Sequence, residues 1–343
     1  MRAHSRIISV ILVIALCTLL WGCGVEEQYS KSELKRASAP SYRGDLITVG
    51  MIQTGKESDW RDANTNDYLN VFTEENGYNL IYIDGNSSSD RQTKAMRDLI
   101  AQKVDYIVLQ PIVETGWDTV VGEAEEAGIP VIVADRQISL HTTDYLTWVG
   151  SDFYSEGQKA MTWLESYLTR NGRQYDKINI VLLEGTEDAS AAIGRTKGIM
   201  EAIEAHDNWN LIAQANGNFT QGEGQIAMET ILNSVNNKEI DVVISENDNM
   251  MFGAMNAMDN RKMSYGVNGD VITISFDALG EAFQLMMDGK LHLSVECNPL
   301  LANDVANIIQ KVENGEEVEL QYFTQEGIYS YENAALYADT RKY

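Results

Sequence analysis

Two runs, Tyr106-Ile107-Val108-Leu109-Gln110 and Pro130-Val131-Ile132-Val133-Ala134, flank a segment of helical period, Thr115–Ala127, and decide the architecture of the chain. Each run is short and rich in β-branched residues, and the segment between them is long enough to cross over a sheet. That order is the pattern of a parallel βα unit, because parallel strands need a crossover that is usually a helix. The same alternation extends in both directions. Strands are expected at Ile47–Ile52 and Leu80–Ile83 before it, and at Ile178–Leu183, Leu211–Ala215, Asp241–Ser245 and Val271–Ser275 after it. Helices are expected at Asp62–Glu75, Ser89–Gln102, Ser155–Arg170, Ser190–Ala205, Gln221–Asn236 and Met250–Asn260, and Ser89 and Asp90 offer capping oxygens to the second of these.

Four βα units therefore come first, then a short strand-like link near Leu146–Gly150, then four more. This count predicts an α/β chain of two doubly wound, Rossmann-like lobes. After Ser275 the pattern changes, with a helix at Asp277–Asp288, a strand at Leu291–Glu296, a helix at Pro299–Glu313 and two short extended runs beyond Glu319. A chain that completes one lobe with elements to spare can return to the other. The expected division is 45–137 plus 297–325 for the N-terminal lobe and 138–296 plus 326–343 for the C-terminal lobe. Several crossovers between lobes make a hinge.

The amino-terminal end carries an address. Arg2 and Arg6 precede an apolar stretch that ends at Leu20-Trp21-Gly22-Cys23. This reads as a secretory signal over 1–22 with cleavage before a cysteine, the layout of a bacterial lipoprotein; Trp21 departs from it, where small residues are favoured. Cys23 is the expected lipidation site, and 23–44 a flexible tether holding the chain outside the cytoplasm on the outer face of the membrane. Of 343 residues this leaves 343 − 22 = 321, enough for two domains. Cys17 departs with the signal and Cys23 takes lipid, so Cys297 stays a lone thiol and no intramolecular disulfide is possible. A net charge of −25, from 51 acidic and 26 basic side chains, excludes nucleic acid as a partner.

In parallel α/β sheets ligands sit beyond the carboxyl ends of strands. Those ends carry Glu57-Ser58-Asp59-Trp60-Arg61, Gln110-Pro111, Asp135-Arg136, Glu184-Gly185-Thr186, Glu246-Asn247-Asp248-Asn249, Phe276-Asp277 and Glu296-Cys297-Asn298. Acids, amides and arginines can each hold two neighbouring hydroxyls, and an aromatic ring such as Trp60 packs on C–H faces. The recurrence suits a polar, uncharged sugar, although Arg61 and Arg136 could equally neutralise an acid sugar. Taken singly, Asp135-Arg136 reads as a surface ion pair and Asn247 as a helix cap. Met250, Met251, Met255 and Met258 fall at helical spacing and read as core, as do Trp117, Trp148 and Trp163. His141, His206 and His292 stand far apart, and Gly-x-Ser-x-Gly, His-Glu-x-x-His and Cys-x-x-Cys are absent, so no enzyme is expected. Gly222-Glu223-Gly224-Gln225-Ile226-Ala227 follows no clean strand for a dinucleotide. Asp84–Asp90 lacks the glycine and the bidentate glutamate of a calcium loop. Neither a cofactor nor a metal is expected.

The chain resembles the bacterial galactofuranose-binding proteins, members of the ribose/galactose class of periplasmic sugar-binding proteins (type I) that feed ABC importers. The resemblance rests on Glu57–Arg61 through Asn64, Ile83-Asp84-Gly85, Pro111 with Thr115-Gly116-Trp117, and Ile129–Val131 leading to Asp135-Arg136. It continues through Gly185-Thr186 with Arg195, Asn247-Asp248 with Met250, Asp277, and Ser294–Glu296 with Pro299. It covers nearly everything from Leu46 to Glu313 and departs from the family at Asp59, where glycine is usual, and at Cys297-Asn298. It implies a monosaccharide ligand, galactofuranose or a similar furanose or pentose, held by Glu57, Ser58, Asp59, Trp60, Arg61, Asp135, Arg136, Asn247 and Asp277, with Thr186, Arg195 and Glu296 added. It also implies a monomer that delivers its ligand to a membrane ABC permease. The alternative is a sugar sensor that signals to a membrane histidine kinase.

Overall fold

The computed structural model describes residues 46–141 and 144–343; the expected signal, the tether and Cys23 lie outside them. Two six-stranded sheets organise these residues. The first contains β1 (Ile47–Gln53), β2 (Tyr78–Asp84), β3 (Tyr106–Leu109), β4 (Val131–Ala134), β5 (Thr147–Gly150) and β11 (Gln321–Phe323), in the order β11-β5-β4-β3-β1-β2 and all parallel. The second contains β6 (Ile178–Glu184), β7 (Trp209–Asn216), β8 (Val242–Ser245), β9 (Ile272–Asp277), β10 (Leu293–Glu296) and β12 (Ile328–Ser330), in the order β12-β10-β9-β8-β6-β7. Only β12 runs antiparallel to its neighbour. Each sheet reverses its strand order once, beside its first strand, and the crevice of a doubly wound sheet opens at such a reversal.

Alternating residues explain why the central strands read as unbroken apolar runs. Tyr106 and Val108 face one core with Val49 and Met51, whereas Ile107 and Leu109 face the other with Ile52. Helices cover both faces, so every position is buried. The first core also receives Tyr68 and Phe72, from or just beyond α1 (Asp59–Val71), and Val305 and Ile309 of α9 (Ala302–Glu313). The second takes Met96 and Leu99 from α2 (Ser89–Gln102) and Val120 and Ala124 from α3 (Asp118–Glu126). Around the second sheet lie α4 (Phe153–Arg170), α5 (Ser190–Glu204), α6 (Gln221–Ser234), α7 (Asp248–Asn260) and α8 (Gly280–Met287). Met250, Met251, Met255 and Met258 are core, and so are Trp117 and Trp148.

The division between lobes differs from the expectation. Thr147–Gly150 pairs with β4, which leaves 138–150 with the first sheet, and the first crossover follows Gly150 rather than residue 137. A strand that satisfies the outer edge of β4 outweighs proximity to the next βα unit. The second crossover runs from β10 to α9 and the third from β11 to β12. Helix starts also move. Ser58 accepts the Arg61 N–H, so α1 begins at Asp59 instead of Asp62 and carries Trp60 and Arg61 in its first turn. The cap of α2 is Ser88, one residue earlier than expected.

Helices α4 and α5 pack through Gly157 and Gly198. A Cβ at Gly157 would lie 2.5 Å from the Arg195 carbonyl oxygen, and one at Gly198 2.6 Å from that of Tyr154. Backbone cannot yield as a side chain tip can. Gly157→Ala is therefore expected to destabilise the chain by about 1–3 kcal/mol, read as a lower urea midpoint at unchanged slope.

Candidate functional site

Four charged side chains form an alternating line at the strand ends of the first sheet. Asp135 Oδ2 lies 2.7 Å from Arg61 Nη2, and Glu57 Oε2 lies 3.5 Å from the same nitrogen. Arg136 grips Glu57 with both terminal nitrogens, at 2.7 and 3.2 Å, and donates to the Ile112 carbonyl at 3.1 Å. Arg61 also donates to Gln110 Oε1 at 2.7 Å. All four are buried, so Asp135-Arg136 is not the surface ion pair that its adjacency suggests. Each reaches instead for an opposite charge on the first loop. Asp135 sits in the left-handed region (φ 59°), and the Trp148 indole N–H holds its carbonyl at 2.9 Å. Beside the line, Trp60 Nε1 donates to the Cys297 carbonyl and Asn64 Nδ2 to the Pro299 carbonyl, both at 2.7 Å.

The second lobe contributes one arginine among several carboxyls. Arg195, on α5, donates through Nε to Glu156 Oε2 at 2.6 Å, through Nη1 to the Glu246 carbonyl, and lies 3.5 Å from Asp277 Oδ1. Its guanidinium also stands 5.4 Å from the Phe153 ring and 5.0 Å from that of Phe276. Burial would weaken its hold on the proton, but Glu156 and Asp277 reverse that and keep it charged. Asn247 is both cap and cavity wall. Its Oδ1 accepts the Met250 N–H and its Nδ2 donates to the Phe219 carbonyl, both at 2.9 Å. Phe219 has a left-handed backbone (φ 60°), and its ring lies flat on Gly185, where any Cβ would collide.

Between the lobes is a small cavity. The first lobe lines it with Glu57, Ser58, Trp60, Arg61, Asp135 and Arg136, and the second with Phe153, Ala191, Arg195, Phe219, Asn247 and Asp277; Cys297 joins from a crossover. Nine of the twelve expected residues thus converge. Asp59, Thr186 and Glu296 do not line it. Asp59 reaches across the cleft, taking Asn249 Nδ2 on its carboxylate at 2.7 Å while its N–H donates to Asn249 Oδ1 at 3.2 Å. Thr186 accepts the Ala189 N–H in the turn that leads into α5. Glu296 faces the tail of the chain, where Arg341 Nη1 at 2.6 Å, Tyr343 Oη at 2.7 Å and the Gly327 N–H at 2.6 Å engage its carboxylate. Sequence reasoning missed Phe153, Ala191 and Phe219. The rule that found the others, applied to the end of β7, leads within three residues to Phe219.

Two further bonds join the lobes, from Glu114 N–H to the Asp188 carbonyl at 2.9 Å and from Gln137 N–H to Ser190 Oγ at 2.7 Å. Arg136 lies 5.0 Å from the Phe219 ring across the same gap. With these contacts made, the two lobes are closed over the cleft.

The sequence pattern of the periplasmic binding protein domain matches residues 49–317. The chain belongs to that family. It is a solute receptor of the type I fold and not an enzyme. The galactofuranose-binding protein YtfQ of Escherichia coli (strain K12) is 38% identical over 267 residues, covering 77% of this chain and 81% of that protein. A Mycobacterium smegmatis protein solved in complex with β-D-fucofuranose is 37% identical, with a TM-score of 0.80 and coverage of 85% of this chain and 94% of that one. The binding component of the arabinose ABC transporter from Shewanella sp. ANA-3, solved with α- and β-L-arabinofuranose, is 32% identical, with a TM-score of 0.80 and coverage of 86% and 95%. Among the described residues no helix is long and apolar enough to cross a membrane.

Several buried carboxyls of the second lobe hold their protons more tightly than usual. Burial pushes Glu246 up to about 8, although hydrogen bonds from Thr196 and the Gly185 N–H pull the other way. Burial likewise raises Asp248 to about 7, outweighing hydrogen bonds from Ser275, Leu279 and Ser294, and raises Asp277 despite Arg195. A carboxyl raised on folding favours the folded state while it stays protonated, and that advantage fades as pH rises through the folded value. Glu246→Gln should therefore gain thermal stability relative to the parent as pH rises from 4.5 to about 8 and hold a constant difference above it. Thermal midpoints of both proteins across that range provide the measurement.

Proposed function

We propose that the chain is a lipid-anchored extracytoplasmic receptor, acting as a monomer, that closes on a neutral monosaccharide in furanose form and delivers it to a membrane ABC permease. The observation that carries this reading is the charge balance of the cavity. Each of the three arginines that line it already has an acidic partner, Asp135 for Arg61, Glu57 for Arg136 and Glu156 for Arg195. An acid sugar would need a cation with none. A neutral sugar needs fixed donors and acceptors, and the paired groups supply both without a cation left over. Trp60 and Phe219, from opposite lobes, offer apolar faces for the ring. The furanose form rests on the relatives with fucofuranose and arabinofuranose bound, and delivery to an importer on the arabinose transporter component. The lipid anchor rests on the sequence ending at Cys23.

Capture follows from this geometry. In an open cleft the first lobe presents its ion pairs already oriented, so sugar hydroxyls replace water on donors that need no rearrangement. Closure brings Arg195, Asn247 and Asp277 over the other side and completes the four cross-cleft hydrogen bonds. The permease then meets the closed form alone. A dissociation constant near micromolar corresponds to about −8 kcal/mol.

Calorimetry with galactose, arabinose and fucose, set against their uronic acids, should show binding of a neutral sugar only, and carbon NMR of the bound sugar should show a furanose ring. Asp135→Ala and Arg136→Ala should each weaken binding by about tenfold to a hundredfold; unchanged affinity in both, or preference for a uronic acid, refutes the assignment. Asp59→Gly removes the side-chain half of the clasp and should speed ligand release by about two- to tenfold at unchanged thermal stability. Stopped-flow release measurements test that outcome.

A further inference from the structure

We infer that the hinge contains a site for a thiophilic divalent cation, formed by Cys297, Glu156 and Glu326. The three come from separate parts of the interlobe connections: Glu156 from the first turn of α4, Cys297 from just after β10, and Glu326 from between β11 and β12. One potential ligand atom from each lies within 4.8 Å of the other two. Zinc bonds of about 2.3 Å to sulfur and about 2.0–2.2 Å to oxygen require donors roughly 3.5 Å apart. The separations in the structure, at most 4.8 Å, lie within about 1.3 Å of that spacing.

Three observations carry the assignment beyond proximity. Glu156 is fully buried, and although Arg195 holds its Oε2, its Oε1 has no hydrogen-bond partner. A buried carboxylate oxygen without a partner is costly and calls for one. A dication that displaces the thiol proton adds one net positive charge to a cluster in which Glu156, Glu326 and Asp277 share the single guanidinium of Arg195. The outer shell is also built. Glu326 Oε1 accepts from the Asn298 N–H at 3.0 Å, from Thr324 Oγ1 at 2.8 Å and from Ser151 Oγ, while Arg195 orients Glu156. Such partners fix the direction of metal-binding carboxylates. Sulfur in the set selects zinc or a similar ion over calcium and magnesium.

Cys297 also lines the ligand cavity, which gives the ion a route into the hinge. On binding, the Sγ–H bond breaks, the proton leaves to solvent and a sulfur–metal bond forms. The bound ion then joins all three interlobe connections and fixes their relative angle. None of this depends on which sugar the cleft takes.

The test uses the chain washed with chelator and titrated with Co²⁺, followed by Zn²⁺. A thiolate-to-cobalt charge-transfer band should appear, saturate at a single equivalent and vanish on adding zinc. Cys297→Ser should abolish the band, and Glu326→Gln should weaken binding by at least about tenfold, with thermal unfolding of both variants confirming that they fold. Absence of the band, its persistence in Cys297→Ser (which would place the thiol at Cys17 or Cys23), or unchanged affinity in Glu326→Gln overturns the site. If Cys297→Ser does not fold, Glu326→Gln and Glu156→Gln decide, and undiminished cobalt affinity in both overturns it.

Discussion

Asp135, Arg61, Glu57 and Arg136 form a closed electrostatic line in which every charge is buried and every neighbour has the opposite sign. Desolvating four ionised groups is expensive, and a buried ion pair is often no more stabilising than a well-packed apolar pair. Its value here lies in direction. Each group is held by its neighbours in the line, Arg136 also by the Ile112 carbonyl and Arg61 by the Gln110 side chain, so the first lobe keeps its donors and acceptors in place before any ligand arrives. The first two turns of α1 tie this line to the crossover after β10, because Trp60 and Asn64 bond to the carbonyls of Cys297 and Pro299. Binding surface and hinge are therefore one connected piece of polar structure.

The second lobe solves the same problem with a different balance. One arginine serves Glu156, Asp277 and the Glu246 carbonyl, while Glu246 and Asp248 rely on hydrogen bonds from hydroxyls and backbone N–H groups. Shortage of cations is met there by protons, as the raised carboxyls show. The two walls of the cleft thus differ in kind: one is a lattice of ions, the other a cluster of acids around a single base.

Much of this was legible in the sequence because it depends on short-range order. Strands β3 and β4 announce themselves as apolar runs, and the rule that ligands gather at strand ends places Glu57, Trp60, Arg61, Asp135, Arg136, Asn247 and Asp277 correctly at the cavity. What adjacency could not reveal was pairing. Asp135 and Arg136 are neighbours in sequence yet bond to different partners, because a left-handed residue at the strand end turns successive side chains apart. Glu296 has the residue type and the strand-end position of a ligand group, but a tail that returns from elsewhere in the chain claims it. Phe219 was missed because a hydrophobic residue in a polar turn carries no local sign that it will press on a glycine 34 positions away (219 − 185). The sheet to which β5 belongs was equally hidden, since strand pairing is decided by an edge that exists only after folding.

Three of the four bonds that join the lobes share a polarity, the exception being the one from Asn249 Nδ2 to the Asp59 carboxylate. Asp59, Glu114 and Gln137 each offer a main-chain N–H from the first lobe, and the second lobe answers with oxygen from Asn249, Asp188 and Ser190. These amide protons are shielded when the halves meet and meet solvent when they part. Their deuterium uptake consequently records how often the unliganded molecule gapes, site by site and without a dye or a label.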